Sequence, residues 1–115
     1  MKARQAAFFM RAFGDGTRLR ILAALSRRPL SFGQLARALK VPNFRLTRHL
    51  RYLHDRRVVE SERAGATVIY HLAEAQHALH QVALGAVQTC LGQLDEVQQD
   101  TSRALGTGGR GKARR

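Results

Sequence analysis

Apolar positions along this chain recur with two different periods, and the change from one to the other divides it. From Val41 to Arg57, VPNFRLTRHLRYLHDRR, a rotation of about 100° per residue gathers Leu46, Leu50 and Leu53 on one narrow stripe. Phe44, Arg48, Arg51 and Asp55 fall on the opposite side, flanked by Thr47 and Arg45. One face of this helix packs and the other is offered. Just upstream, SFGQLARAL from Ser31 to Leu39 is a second amphipathic segment that opens on a Ser-x-x-Gln capping signature. Only Lys40, Val41 and Pro42 separate the two, so the pattern predicts helix, tight turn, basic helix: a helix-turn-helix.

The flanking segments extend this picture. Residues 3–13 alternate apolar and basic and form a short first helix, with Ala7, Phe8, Met10 and Ala12 or Phe13 on one side. In GDGTRLRILAALSRRP, Asp15 is the expected N-cap and Leu19, Ile21, Leu22 and Leu25 are the core face of a helix that ends before Pro29. Thr17, Arg18 and Arg20 in its first turns read as ordinary surface polarity. After the helix-turn-helix the period becomes two: VVESERAGATVIYHL, Val58 to Leu72, is rich in β-branched residues and turns at Ala64-Gly65-Ala66, which predicts a hairpin. A basic helix-turn-helix followed by a hairpin is a winged helix, whose wing tip, near Arg63 and Gly65, can reach the adjacent minor groove or backbone.

From Glu74 to about Asp100 the period is helical again, with Leu79, Val82 or Ala83, Ala86, Val87, Cys90, Leu91, Leu94 and Val97 on one side. One continuous helix here would span about 40 Å, more than so small a domain covers with its own core. The stripe is therefore expected to pair with a second copy, through Leu79, Ala83, Ala86, Val87, Cys90, Leu91 and Leu94. Gly85 and Gly92 weaken the helix locally but permit close approach. The expected fold is mainly α with a small β-hairpin, a dimeric winged helix-turn-helix in the order α-α-α-α-β-β-α. Residues 1–100 form its DNA-binding and dimerisation domain, and the Gly-rich basic stretch 101–115 is a disordered tail.

Charge sharpens the functional reading. The 115 residues carry 20 Lys plus Arg against 8 Asp plus Glu, a net +12, more than solubility requires, so a polyanion is the implied partner. Residues 1–63 hold 15 basic and 4 acidic residues, 64–100 hold 4 acidic and no Lys or Arg, and 101–115 hold 5 basic residues. The charge thus sits on the helix-turn-helix half and the tail. No apolar run approaches the roughly 18 residues of a membrane span, and MKARQAAFFMRAF makes a poor signal peptide, so a cytoplasmic protein is expected. The single cysteine, Cys90, fits a reducing compartment.

At this point the order of elements and several strings resemble the ArsR/SmtB family of bacterial winged-helix repressors, over residues 5–98. FGDGTRLRILAAL is similar to that family's entry to its second helix, with Gly16 where proline is usual. LTRHLRYLHDRRVVESERAGATVIYHL is similar to its recognition helix, link and wing, Thr47-Arg48-His49-Leu50 most of all. The resemblance implies a homodimer paired through its first and last helices that binds an inverted-repeat operator in double-stranded DNA until an inducer releases it; nothing in the sequence names that inducer. Carried over by position, it places Asn43, Phe44, Thr47 and Arg48 at base edges, and Arg45, Arg51 and Arg63 nearer phosphates. Arg48 suits a bidentate contact to guanine and Asn43 one to adenine, while Phe44 offers only apolar contact, for instance to a thymine methyl. With Phe44 where a small polar residue is common and Pro42 in place of a serine cap, an atypical operator is expected.

The family's metal-ligand sets are absent from the sequence. The stretch that carries a Cys-x-Cys pair in one sensor type is here GQLARAL, and His77 is followed eleven residues later by Gln88 rather than by a second histidine. Glu74, His77 and His80, spaced three apart, are the remaining candidate ligands, and polar surface is the more ordinary reading of them. Cys90, on the apolar stripe, reads as a small core residue; a redox role would need Cys90 of a second subunit. No cofactor is called for, and no nucleophile-base pair, phosphate loop or carboxylate pair suggests an enzyme. The competing reading is a nucleic-acid-binding protein that uses its charge without sequence choice, chromatin-associated or RNA-binding.

Overall fold

The computed structural model describes residues 1–108. Helix α1 (Ala3–Met10) runs through a 3-10 turn (Arg11–Phe13) into α2 (Gly16–Arg27), followed by a short strand β1 (Leu30–Ser31), α3 (Phe32–Leu39), α4 (Asn43–Asp55), the hairpin β2 (Val59–Ala64) and β3 (Thr67–Leu72), α5 (Ala78–Thr89), a 3-10 turn (Leu91–Gln93) and α6 (Asp95–Gly108). Local chemistry sets these boundaries. The Asp15 side chain accepts from the Arg18 N–H at 3.1 Å and starts α2. Ser31 and Gln34 form the reciprocal capping box that starts α3. Lys40 ends α3 in the left-handed region (φ 55), which folds the chain back within three residues.

Periodicity translates directly into packing. Leu46, Leu50 and Leu53 of α4 are buried against Ile21, Leu22 and Leu25 of α2 and Leu35 and Leu39 of α3, in one core that Val58 and Val59 close from below. The hairpin turns at Gly65-Ala66, with Gly65 at φ +66, a conformation glycine adopts without strain. β1, which the sequence pattern did not predict, adds to the other edge of β3 by pairing Leu30 with Tyr70 and Ser31 with Ile69. The sheet therefore has three antiparallel strands in the order β1-β3-β2.

The C-terminal third departs from expectation. Instead of one helix to Asp100, the chain breaks after Thr89: Cys90 has φ −115, residues 91–93 form a 3-10 turn, and Leu94 is extended (ψ 140). Gly92 and the Thr89 hydroxyl, which back-bonds to the Gly85 carbonyl at 2.7 Å, both weaken a helix at this point. Asp95 and Glu96 then favour a new N-terminus. α6 packs on α3 and α2, burying Val97, so the apolar stripe has partners within its own chain after all. Leu79, Ala83, Val87 and Leu91 pack on the core, whereas Val82, Ala86, Cys90 and Leu94 face outward. Cys90 is exposed rather than a core residue. The expected disorder from residue 101 is likewise corrected, since helix continues to Gly108; residues 109–115 lie outside the described part.

What fastens α6 is a buried carboxylate. Asp100, 3 % exposed, accepts from Arg20 Nε and Nη2 at 2.8 Å each and from Arg103 Nη2 at 2.7 Å. The two arginines also donate to the last carbonyls of α3, Arg103 Nε to Ala38 at 2.7 Å and Arg20 Nη2 to Leu39. Arg20, which reads as surface polarity in the sequence, is thus half of a clasp. The bond to Asp100 outweighs partial burial and raises the guanidinium pKa.

Candidate nucleic-acid interface

α4 turns its apolar stripe inward and presents Asn43, Phe44, Arg45, Thr47, Arg48 and Arg51 to solvent, Phe44 with 70 % of its surface exposed. A bulky apolar side chain held out in this way is available for contact. The wing stands beside this face, with Arg63 and Gly65 exposed at its tip. Every residue singled out as DNA-facing in the sequence therefore reaches solvent on α4 or the wing.

Behind α4 lies a set of contacts that local sequence patterns do not reveal. Arg18 of α2 donates to the carbonyls of Ala12 (3.2 Å) and Arg11 (2.9 Å), lies over the Tyr52 ring at 4.0 Å and meets His49 Nδ1 at 3.4 Å. Arg56 covers the other side of the Tyr52 ring at 3.4 Å and the Phe8 ring at 4.2 Å, with its Nε on the Phe8 carbonyl at 2.9 Å. Phe8, Arg56, Tyr52 and Arg18 form an alternating cation and aromatic stack, extended by the Arg18–His49 contact, that ties α1 and α2 to α4. Arg18 is accordingly a positioning residue and not free surface charge.

The surroundings of His49 favour its neutral form. Burial lowers its pKa and is opposed by the Asp15 carboxylate at 3.8 Å, but the charges of Arg18, Arg48 and Arg45 add to the lowering. His80 is lowered too, by burial and then by His77. Because the unfolded chain takes up these protons more readily than the folded one, stability contributed by both histidines is full above pH 6.5 and is lost as pH falls below it. We expect the urea midpoint to drop between pH 7.5 and about pH 5, and this drop to shrink in a His49→Asn, His80→Gln variant. An unchanged pH profile in that variant would assign the drop to other groups.

The candidate metal ligands are not assembled for coordination. Glu74 is exposed before α5; His77 caps α5, its Nδ1 accepting the His80 N–H at 3.1 Å; His80 is 1 % exposed, and its Nδ1 accepts from the Gln76 N–H at 3.2 Å. Both rings instead pack against Phe9, with centroids 4.9 and 5.0 Å away. Among the described residues no group of three or more His, Cys, Asp or Glu could hold a metal ion.

A three-helix core, a two-helix turn that delivers a solvent-facing basic helix, and an adjoining hairpin define a winged helix-turn-helix protein. Residues 15–61 match the family model described as bacterial regulatory protein, arsR family. The transcriptional repressor SmtB homolog of Synechocystis sp. is 40 % identical over 73 residues, 64 % of this chain and 55 % of that protein. The HTH-type transcriptional regulator Rv2034 of Mycobacterium tuberculosis is 39 % identical over 61 residues, 53 % of this chain and 57 % of that one. The chain thus spans little more than half the length of these relatives. The solved structure of HlyU from Vibrio cholerae has the same fold, with a TM-score of 0.65 at 26 % identity, covering 83 % of this chain and 98 % of that one. Over its helix-turn-helix the chain is thus similar to bacterial regulators of the arsR family, and over most of its length it shares the winged-helix fold of a solved relative.

Proposed function

We propose that this protein is a DNA-binding transcriptional regulator of the cytoplasm, a homodimeric repressor that binds an inverted-repeat operator. The observation that carries this reading is the outward face of α4: six side chains able to touch a major groove, none of them needed by the core, beside a wing with a basic tip. In this reading Arg48, Asn43, Phe44 and Thr47 meet base edges, and Arg45, Arg51 and Arg63 lie nearer phosphates. A repressor is also what the named Synechocystis relative is. Footprinting on a duplex selected by the protein from a random pool should give a two-fold-symmetric protected site. Diffuse protection on every duplex would overturn the operator reading.

Dimerisation is supported by apolar side chains that the described residues leave uncovered. Phe8 and Met10 of α1 and Val82, Ala86, Cys90 and Leu94 of the α5 region are exposed, Val82 to 71 %. The dimerisation set named from the sequence is accordingly divided, with Ala86, Cys90 and Leu94 available to a partner and Leu79, Ala83, Val87 and Leu91 engaged in the protomer's own core. Light scattering at micromolar concentration should give twice 12.8 kDa. Val82→Asp with Ala86→Asp should give a folded monomer that no longer protects both halves of the site. Leu91→Asp is the wrong probe, since it would disturb the protomer. A parent protein that scatters as a monomer removes the basis for two-fold recognition.

A further inference from the structure

Between α4 and the wing runs a groove of about 220 Å³ lined by Thr47, Leu50, Arg51, His54, Ser61 and Tyr70. Five of these six side chains carry hydrogen-bond donors: three hydroxyls, a guanidinium and an imidazole. None of the five makes a hydrogen bond or ion pair within the described residues, and no carboxylate lines the groove. The floor is the buried Leu50 beside the half-buried Tyr70 ring, and the exposed Thr47, Arg51, His54 and Ser61 form an open mouth that a backbone phosphate can enter.

Strand register explains this sorting of charge. Ser61 pairs with Tyr70 and Arg63 with Val68, and these pairs share the face of the hairpin on which Val59 is buried. Glu60, paired with His71, and Glu62, paired with Ile69, alternate to the other face. Two neighbouring hollows, by contrast, mix carboxylates with basic groups, one holding Asp55 and Glu60 beside His54 and Arg57 and the other Glu60 and Glu74 beside His71. On the helix, Thr47, Leu50, Arg51 and His54 fall at positions i, i+3, i+4 and i+7, one edge turned to the wing. His54 stands at the rim between the two sides.

From this arrangement we infer that the crease between α4 and the wing is a phosphate subsite, taking one phosphodiester of the DNA backbone in each half-site through Arg51, His54 and the hydroxyls of Thr47, Ser61 and Tyr70. The inference rests on the DNA-binding reading above and deepens it. Asn43, Phe44 and Arg48 remain free to meet bases, while Thr47, placed at a base edge by position in the reading above, is here assigned to the backbone instead. A phosphate gripped between helix and wing fixes the distance of both from the backbone, and so sets the register of the whole domain on the duplex without itself reading sequence.

The test is a scan in which each phosphate of a duplex, selected by the full chain from a random pool, is replaced in turn by an uncharged methylphosphonate. It uses the parent and a Ser61→Ala, Tyr70→Phe variant, which loses two hydroxyls but no charge and no ring. At one phosphate per half-site the substitution should weaken the parent about tenfold and the variant at most about twofold, and the variant should bind the unsubstituted duplex about tenfold less tightly, as expected for lost hydrogen bonds to a charged group. Equal sensitivity of the two proteins at every position overturns the assignment to the DNA backbone. If the chain selects no duplex at all, the DNA-binding reading itself fails. Titration with inorganic phosphate, followed by NMR at His54, Ser61 and Tyr70, then decides the subsite alone. Shifts that vanish in the variant support an anion site filled by a free phosphate, and unmoved resonances in the parent overturn it.

Discussion

Asp100→Ala lowers the stability of this fold by about 3 kcal/mol, the cost expected for breaking a buried ion pair from one side. The carboxylate is 3 % exposed and takes three charge-assisted hydrogen bonds, so its removal strips partners from two guanidinium groups at once. The side chains of Arg20 and Arg103 retain 21 % and 29 % exposure, which lets water compensate in part and keeps the figure at the lower end of the range. The arginines' second bonds, to Ala38 and Leu39, lose their anchor too, so the end of α3 should loosen next to the Lys40 turn. Urea unfolding should show a lower midpoint with an unchanged slope, and amide exchange should quicken at residues 38–42. A loss below about 1 kcal/mol, the value typical of solvent-screened surface pairs, would show that the clasp is worth no more than one of those.

Arg48→Ala has the second largest expected effect, and it falls on recognition rather than on folding. On a selected operator it should cost about 1–3 kcal/mol, and much less on scrambled DNA, because a bidentate contact to a base edge is lost but little non-specific attraction. Removing residues 109–115, which takes away Arg110, Lys112, Arg114 and Arg115, should act in the opposite sense. Affinity for both DNAs should fall about equally and the salt dependence should become shallower, since only counterion release is lost. The deletion must begin after α6, because Arg103 belongs to the clasp. Salt titrations of both variants on both duplexes separate the two effects. If Arg48→Ala weakens operator and scrambled DNA alike, α4 acts only as a charged rod, and nucleic-acid binding without sequence choice becomes the better account.

Much of the fold was legible because it is written in local patterns. The Leu46, Leu50, Leu53 stripe, the Asp15 cap, the Ser31–Gln34 box and the Gly65 turn each involve residues close together in the chain, and all are where the sequence puts them. The exposed face of α4 was legible for the same reason, as the complement of its buried stripe. What escaped depends on distant partners. Arg18 finds His49 31 residues away and Arg20 finds Asp100 80 residues away, and no periodicity distinguishes such arginines from solvated ones. The single long C-terminal helix was a plausible continuation of an apolar stripe, but the stripe's period cannot report that the chain bends back at residues 90–94 to cover α2 and α3. The crease between helix and wing was invisible because Thr47 and Tyr70 come to line one groove only once β2 and β3 have paired.

The Asp100 clasp also bears on how the protein is made. Arg20 emerges early from the ribosome and has to wait for a partner 80 residues further along the chain. The helix-turn-helix can collapse on its own leucines during synthesis, but the carbonyls at the end of α3 stay ungripped until α6 has been translated and docks. Any event that stops synthesis or clips the chain near residue 94 would therefore leave a protein that has α4 and the wing but lacks the segment that fastens α3. Such a fragment should be far more readily degraded than the full chain, because rapid turnover of a truncated product depends on how often its loosened segments open.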